Sequence, residues 1–222
     1  MASRRRLPLA VHCWGIFGLA LVVGTAVGPA RLRVNFSASL PWGLYRLDAG
    51  AGARPGDLVL ACPPAGFARF AVARHYLLRG SCPGGSRALG KLLLAVAGDR
   101  LEVERRGIAL AGRPLPGTAA LATDGDGRPL PRLAPGARRV GAGEVWLVAA
   151  HPRSLDSRYF GPIGVSQLRG RLVPLLVGGG ADPAGLAAAI RRARALSGDG
   201  AARGTAPTAG SARTGYGTRP PA

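Results

Sequence analysis

Lysine is almost absent from this chain: among its 30 Lys and Arg side chains, in 222 residues, Lys91 is the single lysine. Arginine holds its charge at every physiological pH, whereas a buried lysine can lose its proton and act as a base. A lone lysine in an arginine background therefore points to a task arginine cannot perform, the alternative being a chance survivor on a solvated face. Histidine offers little competition. Of the three, His12 sits in an apolar run and His75 and His151 lie outside the motifs described below; His151 is close enough in sequence to one motif to leave a Ser-His pair as a lesser reading. With three cysteines and no third and fourth ligand at zinc spacing, no structural metal site is expected, and no motif calls for a cofactor. No repeat of 20 to 50 residues is present, which excludes solenoids and propellers. Carboxylates are scarce too, 11 in all, leaving a formal charge of +19. The arginines are nevertheless scattered singly or in pairs, apart from Arg4-Arg5-Arg6, so no specific nucleic-acid surface is expected. A basic body of this kind suits the neighbourhood of an anionic bilayer.

Charge is missing altogether from Leu7 to Gly28, 22 residues of predominantly apolar sequence. About 20 such residues cross a bilayer core. Arg4–Arg6 before the run outweigh Arg31 and Arg33 after it, which favours a cytoplasmic N-terminus and an exported body. A cleavable leader is the competing reading, since Ala26-Val27-Gly28 are small; the length of the run, beyond the roughly 7–15 residues of an ordinary leader core, favours an anchor. Residues 1–29 are thus read as cytoplasmic terminus and anchor, 30–177 as the folded domain, and 178–222 as an appendage. In an oxidising compartment Cys62 and Cys82, 20 residues apart in loop-like VLACPP and RGSCPGG, suit a disulfide worth about 3 kcal/mol, with two free thiols as the alternative.

The body reads as mainly β. Strands are expected at Asp57–Ala61, Leu89–Val96, Arg100–Glu104, Gly107–Ala111, Glu144–Ala149 and Leu168–Leu176, with a loop tip at Asp124-Gly125-Asp126-Gly127. Phe67–Leu78 fits a short helix slightly better than a strand. After Gly178-Gly179-Gly180, the Asp182-Pro183 start introduces a basic, alanine-rich helix over Ala184–Leu196, expected as a solvated extension, and a tail unable to form a core from Ser197.

Three segments carry chemistry. In Val34-Asn35-Phe36-Ser37-Ala38-Ser39-Leu40-Pro41-Trp42-Gly43-Leu44-Tyr45, an extended chain would point Ser37 and Ser39 the same way, one to attack and one to donate to a developing oxyanion. The stretch Lys91–Asp99 (KLLLAVAGD) surrounds its lysine with the apolar residues needed to bring the amine from its usual pKa of about 10.4 towards 7–8. In Ser154-Leu155-Asp156-Ser157-Arg158-Tyr159-Phe160-Gly161, Asp156 and Arg158 can pair and fix a loop.

In order and spacing this set resembles the bacterial type I signal peptidase clan, and more closely its conjugative-transfer branch, the TraF-type pilin-processing proteases. The similarity runs over about residues 5–177 and includes Gly143-Glu144-Val145-Trp146; the Ser154–Gly161 motif is its most specific part. The resemblance implies a signal-peptidase-like antiparallel β-sheet domain behind an N-terminal transmembrane helix. It implies Ser39 as nucleophile, Lys91 as general base, and Ser37 with the Ser39 amide as oxyanion hole. Ser154 matches a serine that orients the lysine, and Asp156 with Arg158 a supporting ion pair. Cysteines placed like Cys62 and Cys82 are also similar to that branch. Lys91-Leu92, where the family usually has Lys-Arg, and Ala97-Gly98-Asp99, where it often has Pro-Gly-Asp, are departures that bear on flanking structure. The expected activity is removal of a leader or terminal peptide from an exported pilin precursor at the outer face of a bacterial inner membrane. The acyl-enzyme would be released by water or by a substrate amine that closes a ring. A general type I signal peptidase, and a non-catalytic basic membrane scaffold of the transfer apparatus, are the alternatives; a self-cleaving repressor is disfavoured by the apolar N-terminus.

Overall fold

The computed structural model describes residues 31–197. The anchor expected at Leu7–Gly28 and the tail beyond Ser197 lie outside them. No helix among the described residues is long and apolar enough to cross a membrane.

The alternation of apolar and polar residues builds two antiparallel sheets. The larger contains β1 (Leu32–Asn35), β2 (Trp42–Asp48), β3 (Leu58–Ala61), β4 (Leu89–Val96), β9 (Glu144–Val148), β10 (Ile163–Gly164) and β11 (Leu168–Gly178), in the order β1-β2-β11-β3-β4-β9-β10. The smaller contains β5 (Arg100–Glu104), β6 (Gly107–Leu110), β7 (Arg113–Pro114) and β8 (Gly136–Arg139), in the order β7-β6-β5-β8. Three α-helices, α1 (Ala65–Ala73), the short α2 (Ser157–Phe160) and α3 (Ala184–Leu196), and a 3-10 turn at Val165–Gln167 join them among the described residues. The mainly β, antiparallel architecture expected from the sequence is therefore what these residues form.

β4 is central to both faces. Residues 91 to 96 are all buried, because successive side chains of a strand covered on both sides enter different cores. Leu92 and Leu94 join a cluster with Leu101, Ile108, Leu110, Trp146 and Val148. Leu93 joins the other, with Val59, Val145, Leu147 and Ile163. Lys91 stands opposite Val59 in the β3–β4 ladder, so its stem leaves the strand on an apolar face.

Two expectations are corrected. The helix begun near Phe67 ends at Ala73, and the backbone at His75 turns to a φ of 60°, which closes the element before Leu78. Helix α3 is not a solvated extension. Leu186, Ala187, Ile190 and Ala193 are buried in the cluster that contains Leu92 and Trp146, and Arg194 pairs with the buried Asp99. The 3.6-residue spacing of these four small and branched side chains gives the helix one apolar stripe, and the core removes it from water.

Candidate active site

The loop joining β1 to β2 carries Ser37 and Ser39. It is not extended: residues 37–40 form a turn, which corrects the expected side-by-side arrangement of the two hydroxyls. Asn35 organises it. Its Oδ1 accepts the Ser37 backbone N–H at 3.1 Å and the Ser37 hydroxyl at 2.7 Å, while its amide donates to the carbonyls of Ser37, Leu40 and Pro41 at 3.0–3.1 Å. This is an Asx turn, the local bond by which asparagine competes with regular structure. The Tyr45 hydroxyl donates to the Pro41 carbonyl at 2.7 Å and pins the far side of the loop.

Leu40, buried, docks the loop onto β4. A Cβ at Gly90 would lie 2.6 Å from Leu40 Cδ1, so the absence of a side chain at position 90 makes the seat for Leu40 immediately beside Lys91. The loop hydroxyl next to Leu40 is that of Ser39.

Ser39, Lys91 and Ser154 come together. Ser39 Oγ donates to Ser154 Oγ at 3.1 Å, and Lys91 Nζ donates to the same oxygen at 2.7 Å. Ser154 is therefore the shared partner of the two groups, drawn from segments 115 and 63 residues away. Lys91 is only 3 % exposed, and burial brings its pKa down to about 8. Burial is the largest cause, Asp156 pulls the value up and Arg158 pushes it down by less, so desolvation decides the direction.

Asp156 and Arg158 form the floor beneath Ser154. Arg158 Nε and Nη2 reach the two carboxylate oxygens at 2.7 Å each, with both residues buried. Asp156 also accepts the backbone N–H groups of Ala149 and Arg158, the second capping α2. The remaining donors of Arg158 go to the carbonyls of Ala119, His151 and Ser154 at 2.9–3.1 Å. The five fixed donors of a guanidinium thus hold the 151–154 turn, and with it the Ser154 hydroxyl, in one place. His151 belongs to that turn: its Nδ1 accepts the Arg153 N–H at 3.2 Å, and it makes no bond to Ser39. The Ser-His pairing left open by the sequence is not made in this structure, where Ser39 bonds Ser154.

Ser39 and Lys91 open onto a cleft of about 1740 Å³, whose lining also includes Ser37, Asp124, Arg153 and Leu172. A loop closed by the Cys62–Cys82 disulfide, with Cα atoms 5.5 Å apart, contributes Cys82 and its neighbours to one wall. Among the described residues no group of three or more His, Cys, Asp or Glu side chains is placed to hold a metal ion.

A buried amine whose pKa is lowered to about 8, sharing one acceptor with a cleft-facing serine, is an arrangement suited to activating that serine. The signal peptidase, peptidase S26 family matches residues 7–176 of this sequence, a stretch that contains Ser39, Lys91, Ser154, Asp156 and Arg158. The chain belongs to that family. In class this S26 protein is therefore a serine peptidase. It is 36% identical over 178 residues to the plasmid transfer protein TraF of Escherichia coli, across 79% of this chain and 99% of that one. It is 39% identical over 164 residues to the conjugal transfer protein TraF of Agrobacterium fabrum (strain C58), across 72% of this chain and 92% of the relative. The probable conjugal transfer protein TraF of Sinorhizobium fredii is 39% identical over 178 residues, across 77% and 91% of the two chains. Among solved structures, a signal peptidase I from Enterococcus faecalis aligns with 55% of this chain and 98% of its own, at 13% identity and a TM-score of 0.33, too remote to add to the assignment.

Two residues of this S26 site were not legible as functional from sequence. Asn35 was part of the quoted serine segment but had no assigned role; an asparagine two residues before a serine, in a loop between strands, is the signal for the turn it forms. Gly90 carries no local signal, because its role is defined by a leucine 50 residues away.

Proposed function

We propose that this S26 peptidase is a membrane-anchored endopeptidase with a Ser-Lys dyad, Ser39 the nucleophile and Lys91 the general base. Its proposed substrate is an exported pilin-type subunit of a conjugative transfer (type IV secretion) system, from which it removes a leader or terminal peptide. The observation that carries this is the single oxygen, Ser154 Oγ, that bonds both Lys91 Nζ and Ser39 Oγ in a site from which Lys91 is desolvated. In the neutral form, Lys91 takes the Ser39 proton and Ser39 Oγ attacks the scissile carbonyl. The Ser39 amide, with the Ser37 hydroxyl once it leaves Asn35, faces the developing oxyanion. The protonated amine then returns its proton to the leaving nitrogen, and water or a substrate amine resolves the acyl-enzyme.

The names of the relatives support the conjugative setting. An inner-membrane position, with the N-terminus cytoplasmic and the catalytic body periplasmic, is supported by the charge-free run at Leu7–Gly28 and by an exposed apolar group at the open end of β1, β2 and β11. Phe36 there is 83 % exposed, Leu176 76 % and Trp42 52 %. Strand pairing sets Leu176 opposite Leu44 and Val34 opposite the same residue, so these side chains share one edge beside the Ser39 loop. Water-facing aromatic and aliphatic groups gathered in this way suit the headgroup boundary of a bilayer.

The test is the mass of the pilin-type product in cells with the wild-type protein, with Ser39→Ala and with Lys91→Arg. A shortened product in wild type alone, with a further loss of one water where the ring closes, supports the reading. Unchanged processing with Lys91→Arg contradicts it, because charge and size are nearly kept while the titratable amine is lost.

A further inference from the structure

We infer that the cleft selects peptides carrying carboxylate side chains close to the scissile bond, and that Arg79, Arg87 and Arg153 read them. The inference rests on the peptidase reading above and adds to it a substrate class. Seven arginines line the cleft, at 33, 74, 79, 87, 128, 153 and 169, against two carboxylates, Asp124 and Asp126. Both carboxylates are already engaged by Arg128, at 2.6 and 2.9 Å. The carboxylates of the described residues that make no ion pair, Asp57, Glu102, Glu104, Glu144 and Asp182, are all outside the cleft lining. Every anion the cleft walls possess is thus spent on one arginine.

Three of the remaining guanidiniums are distinctive. Arg33, Arg74 and Arg169 donate to protein atoms. Arg79, Arg87 and Arg153 are exposed, and among the described residues no carboxylate lies within ion-pair distance of them and their side chains donate to no protein acceptor. Arg79 and Arg87 are also close neighbours. The backbone bridges Arg79 to Ser86, and Arg87 donates to the Leu78 carbonyl at 2.9 Å. Like charges set together without a counterion repel, and an anion between them relieves the repulsion.

Their placement relative to the chemistry sets the reach. Arg153 directly precedes Ser154, and Arg87 is four residues ahead of Lys91 on the segment that becomes β4. Four residues of extended chain span at most about 13 Å, so a peptide in the cleft meets these charges within about four residues of the cut. A bilayer headgroup is the competing account of the same charges, since Val34 and Phe36 of the exposed apolar edge line the same cleft; Arg153 beside Ser154 and Arg87 on the approach to Lys91 favour a peptide held at the reacting groups.

The experiment uses the full chain in a zwitterionic detergent and a library of ten-residue peptides with alanine before the central bond and randomised flanks, read by mass spectrometry. The inference predicts that peptides with Asp or Glu within four residues of the cut are cleaved about two- to fivefold faster, per arginine engaged, than their Asn or Gln counterparts, the range set by what exposed ion pairs contribute. The preference shrinks with added salt. Arg87→Gln and Arg153→Gln each reduce it, Arg87→Lys largely restores it, and Arg192→Gln, on the exposed face of α3, leaves it unchanged. Equal cleavage of acid and amide peptides, or an equal loss with Arg192→Gln, overturns the inference and leaves the peptidase reading intact. Stronger binding of the wild type than of Arg87→Gln to vesicles containing anionic lipid, without an acidic peptide preference, reassigns the charges to the membrane. Absence of any Ser39-dependent cleavage overturns the peptidase reading, and the inference with it.

Discussion

Replacing Lys91 by methionine should stabilise the protein at neutral pH while abolishing its activity. Burial lowers the Lys91 pKa from 10.5 to about 8. At 1.36 kcal/mol per unit, this is about 3 kcal/mol of stability forgone at pH 7, where the unfolded lysine is fully charged and the folded one is charged in a dry site. The sign follows from linkage. A lysine depressed on folding binds fewer protons in the folded state between the two pKa values, so the deficit is complete below pH 8, shrinks as pH rises towards 10.5 and vanishes above it. Methionine keeps the stem volume but loses the 2.7 Å bond to Ser154, worth about 1 kcal/mol. The net expectation is a gain of about 2 kcal/mol at pH 7, or about 4–8 °C in Tm for a domain of this size. Near pH 10.5 the order reverses, with the variant less stable by about 1 kcal/mol. Chemical denaturation of both proteins in the same detergent, at pH 7, 8.5 and 10, measures the gap, and peptide cleavage measures the loss. A variant less stable than wild type at every pH by a constant amount would refute the reasoning, because it would mean that Lys91 folds without losing its hydration.

Other consequences can be checked in the same assays. Asp156→Asn leaves Arg158 buried and unpaired and should cost about 3–5 kcal/mol in a denaturant titration; because the Asp156 charge raises the Lys91 pKa, the acid limb of the variant's rate profile should move below about 8. Gly90→Ala puts a methyl group into Leu40 and should lower kcat while changing the unfolding midpoint little, since Leu40 ends in a movable side chain but carries the Ser39 loop with it. Ile190→Ala should cost about 2–4 kcal/mol, showing by its size that α3 belongs to the core. Replacing both Cys62 and Cys82 by alanine should cost about 3 kcal/mol and open the 62–82 segment to proteolysis.

The strands were legible because their chemistry is local. Leu89–Val96 and Arg100–Glu104 agree with the structure to the residue, an unbroken apolar run for a strand covered on both faces and an alternating one for a strand with a wet side. Helix α3 was legible as a helix, yet its packing was not: the stripe Leu186, Ala187, Ile190, Ala193 says that one face wants cover but not that β6 and the core cluster around it provide it. The short α2 was missed because four residues leave no period to read; Asp156 as its cap is visible only with the backbone in hand. In the site, Lys91 stood out through rarity and its apolar neighbours. The bond from the Ser37 hydroxyl to Asn35 was not legible, because it depends on a turn in a segment read as extended. The convergence of Ser39 and Lys91 on the Ser154 oxygen depends on how two loops and β4 are set against one another and on the vacancy at Gly90, which no single segment reveals.

One lysine in the chain makes the central claim directly measurable. Protein labelled with ¹⁵N at lysine carries a single side-chain amine, Lys91 Nζ, whose shift reports its protonation without assignment or substrate. A titration midpoint about 8, moving upward in Arg158→Gln, is the predicted result. A midpoint near 10.5, unmoved by that substitution, would contradict the account.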